Sequence, residues 1–313
     1  MLSSAPQPQD LEGNSYAVAA NDLASFSTYS SFYGCTNGFF LYYDQRFFEG
    51  LKGLVTLAVI GNPSTGQSLT LPRLKSKMRN GRTTYLLGYD PISKEFKVLS
   101  SAYQWVKNVW ISVDCHVLTL GTRRLSWRKV QCCIPHWHSG KCICICGVLY
   151  YLTVSGTDVS DPMVVCFDLR TEKFSCVKFV GISSKAKPAS QTLVNFDGKL
   201  GLLMSENFNC VYGGSKSFEL WVLRDAAKHE WSVHVYMLPL LWGDVVTATM
   251  CIAGMVGTNE IVLSACKPDV HSYVIYYNVE SKTITKVGVQ GIEAFQGKYV
   301  DIGLNYVENV KLL

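Results

Sequence analysis

Seven side chains of the kinds that bind metal ions lie between residues 132 and 146: Cys132, Cys133, His136, His138, Cys142, Cys144 and Cys146. Thiolates and imidazoles are the ligands of tetrahedral zinc, and zinc knuckles place two cysteines two to four residues apart on a turn. Here Cys142, Cys144 and Cys146 alternate along the run KCICIC, which has the period of a strand. Alternate residues of a strand share one face but step about 7 Å apart, too far to converge on one ion unless the chain folds back. A buried cysteine otherwise behaves as a small hydrophobe. The spacing favours packing, and neither a metal nor a cofactor is expected.

Carboxylates are the second candidate chemistry. Glycoside hydrolysis needs two of them facing each other across the scissile bond. Asp90, Asp168, Glu172, Asp225, Glu230 and Glu280 fall in short polar segments between apolar runs, where acids cap turns and face solvent. Asp197 stands in an Asp-Gly turn, which leaves Asp114 and Asp301. No GxSxG, HExxH, phosphate-binding or dinucleotide-binding pattern is present. No catalytic residue is expected, and a glycan hydrolase is kept as the rival reading.

These residues sit in a framework that repeats. An apolar strand, a polar turn and a second strand recur at Asn62 (NPSTGQSLTL), Gly121 (GTRRLSWRKV), Phe167 (FDLRTEKFSCV), Leu223 (LRDAAKHEWSV) and Tyr277 (YNVESKTITKV), with starts 59, 46, 56 and 54 residues apart. Such a period marks an array of supersecondary units. The clearest unit, Gly140 to Val180, reads as four short strands with turn residues between them, and those that follow repeat it through the Asp197-Gly198 turn and the GTN turn at Gly257. The expected fold is all-β: a single β-propeller of five four-stranded antiparallel blades, or six if the second unit divides between two blades, over residues 29–313. A last strand, KYVDIGLNYVENVKL, is left to pair the chain ends. Phe96, Trp127, Phe174 and Trp231 open strands after these turns and are expected to fill gaps between blades.

The chain has 313 residues, 48% hydrophobic and 17% charged, enough for a large core. Its net charge of +5 is spread along the sequence without a dense basic run, so no nucleic-acid partner is expected. Tyr236 to Gly257 is apolar enough to suggest a membrane span, but Pro239, Gly243 and Asp244 interrupt it, so it reads as a loop followed by a buried strand and no membrane partner is expected. The first residues lack a secretory pattern, which points to the cytoplasm or nucleus and to reduced thiols for the twelve cysteines. Residues 1–28, polar and without periodicity, read as a flexible tail.

The phrases NPSTGQSLTLPRLKSK, LLGYDPISKEFKVLS, HVLTLGTRRLSWRKVQCCIPH, VVCFDLRTEKFSCVKF and SFELWVLRDAAKHEWSVHVYMLP, taken in order, resemble the F-box-associated β-propeller of plant F-box proteins, in its type 3 form. The resemblance runs from about Gly34 to the C-terminus. It implies a non-enzymatic protein-interaction module, the substrate-recognition part of a Skp/cullin/F-box ubiquitin ligase adaptor. An F-box is a helical module of some forty to fifty residues, which residues 1–28 cannot hold. The chain therefore reads as a truncated adaptor, with a protein substrate as its partner and no direct binding of a Skp-type adaptor. A relic without a partner is the further alternative.

In such a fold the loops between units and those joining second and third strands share a face. IPHWHSG (Ile134 to Gly140) and Leu238 to Val245 fall there, bringing His136, Trp137, His138 and Trp242 forward as candidate protein-binding residues. Loop aromatics are enriched in binding hot spots. The competing reading is that each Trp plugs a gap between loops.

Overall fold

The computed structural model describes residues 2–4, 15–19, 21–24, 31–47, 54–74, 82–106, 109–134, 136–155, 162–179, 192–206, 210–265, 273–290 and 303–304. Three short strands come first: β1 (Leu2–Ser4), β2 (Ser15–Ala19) and β3 (Asn21–Ala24). Five four-stranded units follow. The first is β4 (Ser31–Thr36), β5 (Phe39–Phe47), β6 (Leu54–Asn62) and β7 (Gln67–Thr70). The second is β8 (Arg82–Asp90), β9 (Glu95–Val106), β10 (Val109–Thr119) and β11 (Arg128–Val130). The third is β12 (His136–Ile145), β13 (Val148–Ser155), β14 (Pro162–Asp168) and β15 (Phe174–Lys178). The fourth is β16 (Thr192–Phe196), β17 (Lys199–Ser205), β19 (Ser217–Asp225) and β20 (Glu230–Met237), with β18 (Cys210–Val211) lying between β17 and β19 in the chain. The fifth is β21 (Met250–Val256), β22 (Glu260–Ala265), β23 (Tyr273–Asn278) and β24 (Ile284–Gln290). Each unit is an antiparallel meander in chain order, and the expectation of five propeller blades holds.

The fifth sheet gains a strand at each side. β18 pairs antiparallel with β21, and β2 pairs parallel with β24. The sequence pattern showed neither, because a two-residue strand has no period and the β2 segment has no apolar alternation. The strand expected near the C-terminus lies outside the described residues, except for Gly303 and Leu304.

Two turn chemistries set the register. Asn37-Gly38, Cys146-Gly147 and Asp197-Gly198 each place two successive residues at positive φ (50° and 84°, 48° and 82°, 50° and 74°). That is the two-residue turn whose twist matches paired strands, and it joins the first two strands of the first, third and fourth blades. The repeated sentence is a different, six-residue hairpin opening on Asn or Asp. The Asn62 side-chain oxygen accepts from the Ser64 amide at 3.0 Å, and that of Asp90 from Ile92 at 3.1 Å. Asp168 accepts from Arg170 and Thr171 at 3.0 and 2.7 Å, and Asn278 from Glu280 and Ser281 at 3.0 Å each. Four residues after each of these the backbone turns left-handed, at Gly66, Lys94, Glu172 and Lys282, and His229 stands in the same relation to Asp225. In the second blade this hairpin joins β8 to β9, the first two strands. The Gly121 sentence closes β10 and β11 through a longer connection. The Asn or Asp turn is local, so any hairpin of a blade can carry it.

The chain divides into two compact units, residues 26–189 with two short additions (226–229 and 306–313), and residues 1–25, 190–225 and 230–305. In the first, Phe39, Leu41 and Ile60 of the first blade bury against Leu87, Phe96, Val98 and Leu118 of the second. The Phe39 and Phe96 rings meet edge to face at 4.7 Å. The Trp127 indole donates to the Pro72 carbonyl at 2.6 Å. Between second and third blades, Leu86, Leu99 and Val117 pack on Leu149, Val165 and Phe167, with Phe174 against them. A side chain at Gly88 would sit 2.7 Å from the Leu169 methyl and 3.0 Å from Leu149 Cγ, so any larger residue there would make these leucines shift. Three of the four expected gap-filling aromatics therefore sit in seams; Trp231 is half-buried.

Removing an Asx-turn acceptor should act on stability alone. Asn278→Ala loses two side-chain-to-backbone bonds and should lower unfolding free energy by about 1–2 kcal/mol. The denaturation midpoint should fall without a change in slope. Glu280→Ala, at an exposed turn position, should stay within about 0.5 kcal/mol.

Candidate functional site

His136 is on β12, not on a loop, and its exposure is 0%. Expected as part of a loop ending at Gly140, residues 136–140 instead continue the strand, with a register shift between His138 and Cys142. The bulge sets Ser139 to Lys141 opposite the single residue Leu152, an irregularity that strict alternation could not show. The His136 Nδ1 lies 2.8 Å from the Ile134 carbonyl, so it carries the proton. Nε2 then accepts from the Tyr151 hydroxyl at 2.9 Å. Burial pushes the imidazole pKa down and the Tyr151 phenol up, so both are neutral. With both nitrogens occupied, His136 is an interior strut and reaches neither a partner nor a metal. Trp137 and His138 share the strand, but their side chains lie outside the described residues.

Three thiols of the cluster, Cys132, Cys142 and Cys144, are held protonated. Burial pushes Cys142 up to about 12 and Cys144 up to about 11. Cys132 is raised further, first by its hydrogen bond with Cys115 and then by burial. Metal ligation needs thiolates. Among the described residues no three His, Cys, Asp or Glu side chains converge. Ten described cysteines are free, whereas Cys251 is disulfide-bonded, so the expectation of reduced thiols fails at that position.

Several turn acids are held by cations. Asp90, almost fully buried, receives Arg170 from the third blade at 3.3 and 3.2 Å, and that hydrogen bonding holds its carboxyl far below the ordinary range. Burial would push Glu172 up, but hydrogen bonds from Arg128 and Lys97 outweigh it. Lys97 itself is buried and donates to the Leu169 carbonyl at 2.8 Å and to Glu172 at 3.0 Å. These carboxylates fasten the second blade to the third. A hydrolase acid would instead need a raised pKa.

Trp242 is also interior. It opens α1 (Trp242–Val245), is 2% exposed, donates its indole N–H to the Tyr212 carbonyl at 3.1 Å, and meets Phe218 and Tyr277 edge to face at 5.8 and 5.7 Å. Phe218 is on the fourth blade and Tyr277 on the fifth, so Trp242 is the plug of the two readings left open, and its place on the binding face is corrected. Gly213 and Gly243 allow the packing: a side chain at Gly213 would meet the Val246 carbonyl at 2.9 Å.

This anchoring turns other residues outward. Along β20 the side chains of Val233, Val235 and Met237 alternate into solvent, and after Pro239 come Leu240, fully exposed, and Leu241, 68% exposed. Tyr212, whose carbonyl holds Trp242, is 44% exposed. β20 is the last strand in its sheet. Five exposed apolar residues within nine positions form the kind of surface that marks protein contact. The sequence carried a signal for it, since Val233, Val235 and Met237 keep the period of a strand. Apolar alternation alone does not say which face is covered.

Residues 1–309 match the profile of the F-box associated beta propeller domain. The chain belongs to that family. It is 43% identical to the F-box protein DOR of Arabidopsis thaliana over 99% of this chain and 77% of DOR. It is 42% identical to the Arabidopsis F-box protein At5g65850, over 99% of this chain and 74% of that one. Among solved structures, the β-propeller domain of the Trilobed protease from Pyrococcus furiosus superposes with a TM-score of 0.45 at 10% identity, over 84% of this chain and 72% of that domain, a likeness too loose to bear on function. For this F-box associated domain the expected family and fold both hold.

Two predictions follow from the burial pattern. Trp242→Ala should cost about 3–5 kcal/mol in a urea titration, whereas Leu240→Asp should cost under about 0.5 kcal/mol. The lowered pKa of His136 has a signed consequence. The unfolded state binds its proton first, so stability should be full above the unfolded pKa near 6.5 and fall as pH drops toward the folded value. His136→Phe should flatten that fall in a series of thermal melts, even if it lowers stability at every pH.

Proposed function

We propose that this chain is the protein-recognition module of an F-box-type ubiquitin ligase adaptor, and that Val233, Val235, Met237, Leu240 and Leu241 help grip the protein to be ubiquitinated. The observation that carries the reading is that exposed apolar surface, on a propeller of the family joined to F-box proteins. Apolar side chains at the centre of a docking surface supply most of its free energy once water is excluded. The work is non-enzymatic: the chain positions a substrate and others transfer ubiquitin. It is carried out in the cytoplasm or nucleus. Contact with a Skp-type adaptor belongs to the helical F-box, not to the strands of these 313 residues.

The test compares the chain with its Leu240→Asp, Leu241→Asp double variant by proximity labelling in plant cells. Hits are followed by binding measurements on purified proteins. A protein that accumulates when the proteasome is inhibited and binds the variant at least tenfold more weakly is the expected result. Equal binding by the variant would contradict the assignment of the surface. A stoichiometric complex of these 313 residues with a Skp-type adaptor would contradict the division of labour.

A further inference from the structure

The blades end on unlike edges. The last strands of the first three, β7, β11 and β15, run four, three and five residues. β24 of the fifth blade runs seven residues and is covered, since β2 lies beyond it in parallel register from Ser15 opposite Lys286 to Ala19 opposite Gln290. β20 runs eight residues, and among the described residues no strand lies beyond it. Short strands, charges, prolines and bulges are the usual means of blunting an edge. From Trp231 to Met237 β20 has no Lys, Arg, Asp, Glu or Pro, and its register with β19 is unbroken from Trp231 opposite Leu223 to Met237 opposite Ser217.

One bond fixes how the backbone of that edge faces. The Leu238 amide donates to the Lys216 carbonyl at 2.9 Å, so alternate residues back along the strand, Tyr236, His234 and Ser232, turn their amides and carbonyls toward β19. The amides of Val233, Val235 and Met237 and the carbonyls of Val233 and Val235 point the other way. The Met237 carbonyl is taken by the Tyr277 hydroxyl at 3.0 Å. The exposed side chains of the same three residues stand beside these groups on one face of the sheet.

We propose that β20 receives an extended segment of the bound protein as a fifth strand of the fourth blade. The proposal rests on the reading of this surface as the substrate's docking site and adds how the substrate is held. The fold itself shows the chemistry of such an occupant: β2, the segment seated on β24, reads SYAVA and has no charged residue. β20 matches it in charge, for an acidic or basic strand would meet no counter-charge between Trp231 and Met237. The occupant is therefore an uncharged extended run at least as long as β2, apolar at every second position, where its side chains stand beside Val233, Val235 and Met237. Its main chain supplies the hydrogen bonds, and its sequence is read through that alternation.

The test selects peptides from a phage-displayed library of random short sequences on the whole purified chain. Their affinities are then measured on the chain and on Val235→Pro. Proline should be tolerated there because it removes an amide that points away from β19, and circular dichroism checks the fold. The selected peptides should be apolar at alternate positions. They should bind Val235→Pro about tenfold more weakly, as one lost hydrogen bond and a ring in the path of the strand require. N-methylation of the peptides leaves the protein intact and so decides the matter even if the variant misfolds: it should weaken binding at every second amide and not between. Equal affinity for Val235→Pro, N-methylation effects without that period, or no peptide enriched on the chain over the variant would overturn the proposal. So would a chain that sediments as a dimer which Val235→Pro dissociates, since a second copy would then hold the edge. Peptides that keep their affinity for Val235→Pro but lose it on the Leu240→Asp, Leu241→Asp variant would overturn strand addition and leave the apolar surface as the docking site. Peptides indifferent to both variants would overturn both.

Discussion

A four-stranded sheet with apolar side chains on both faces must be covered twice, and its neighbour is what covers it. That need organises the molecule. Between first and second blades it places Phe39 against Phe96, between second and third it places Leu86 and Leu99 against Leu149 and Val165, and between fourth and fifth it places Phe218 and Tyr277 against Trp242. Aromatic rings suit these seams because one ring fills a gap that two aliphatic side chains would leave ragged, and edge-to-face contact adds to burial. Polar groups enter the seams only when satisfied, as where Lys97 reaches both the Leu169 carbonyl and Glu172.

The seams also decide which apolar residues remain for other work. Trp242 is drawn inward by its indole bond to Tyr212 and by the glycine contact at Gly213, and α1 is fixed as a result. The next residues back along the chain, Leu240 and Leu241, then have nowhere to go but solvent. Likewise β20 pairs through β19 into its sheet and leaves Val233, Val235 and Met237 on an uncovered face. The exposed apolar surface is thus a product of the same packing that buries the plug beside it.

Much of this was legible in the residues. The six-residue hairpin wrote itself into the sequence because an Asn or Asp acceptor and a left-handed fifth residue are local requirements, repeated at Asn62, Asp168 and Asn278. Asp-Gly and Asn-Gly turns were legible for the same reason. The candidate site was not. His136 and Trp242 look like loop aromatics because polar and glycine neighbours surround them. Their burial depends on a strand bulge and on a glycine contact thirty residues away, neither of which has a sequence period. The pairing of β18 with β21 escaped notice because two residues are too few for any pattern.

Hydroxyl-radical footprinting of the native chain measures most directly whether packing divides its apolar residues between seams and surface in this way. It reports the solvent access of single side chains. The account predicts strong modification of Met237, Leu240, Leu241 and Tyr212, and protection of Trp242, Phe218, Phe96 and His136 until the protein unfolds. Trp242 modified as readily as Tyr212, or Met237 and Leu240 protected in the isolated chain, would contradict it.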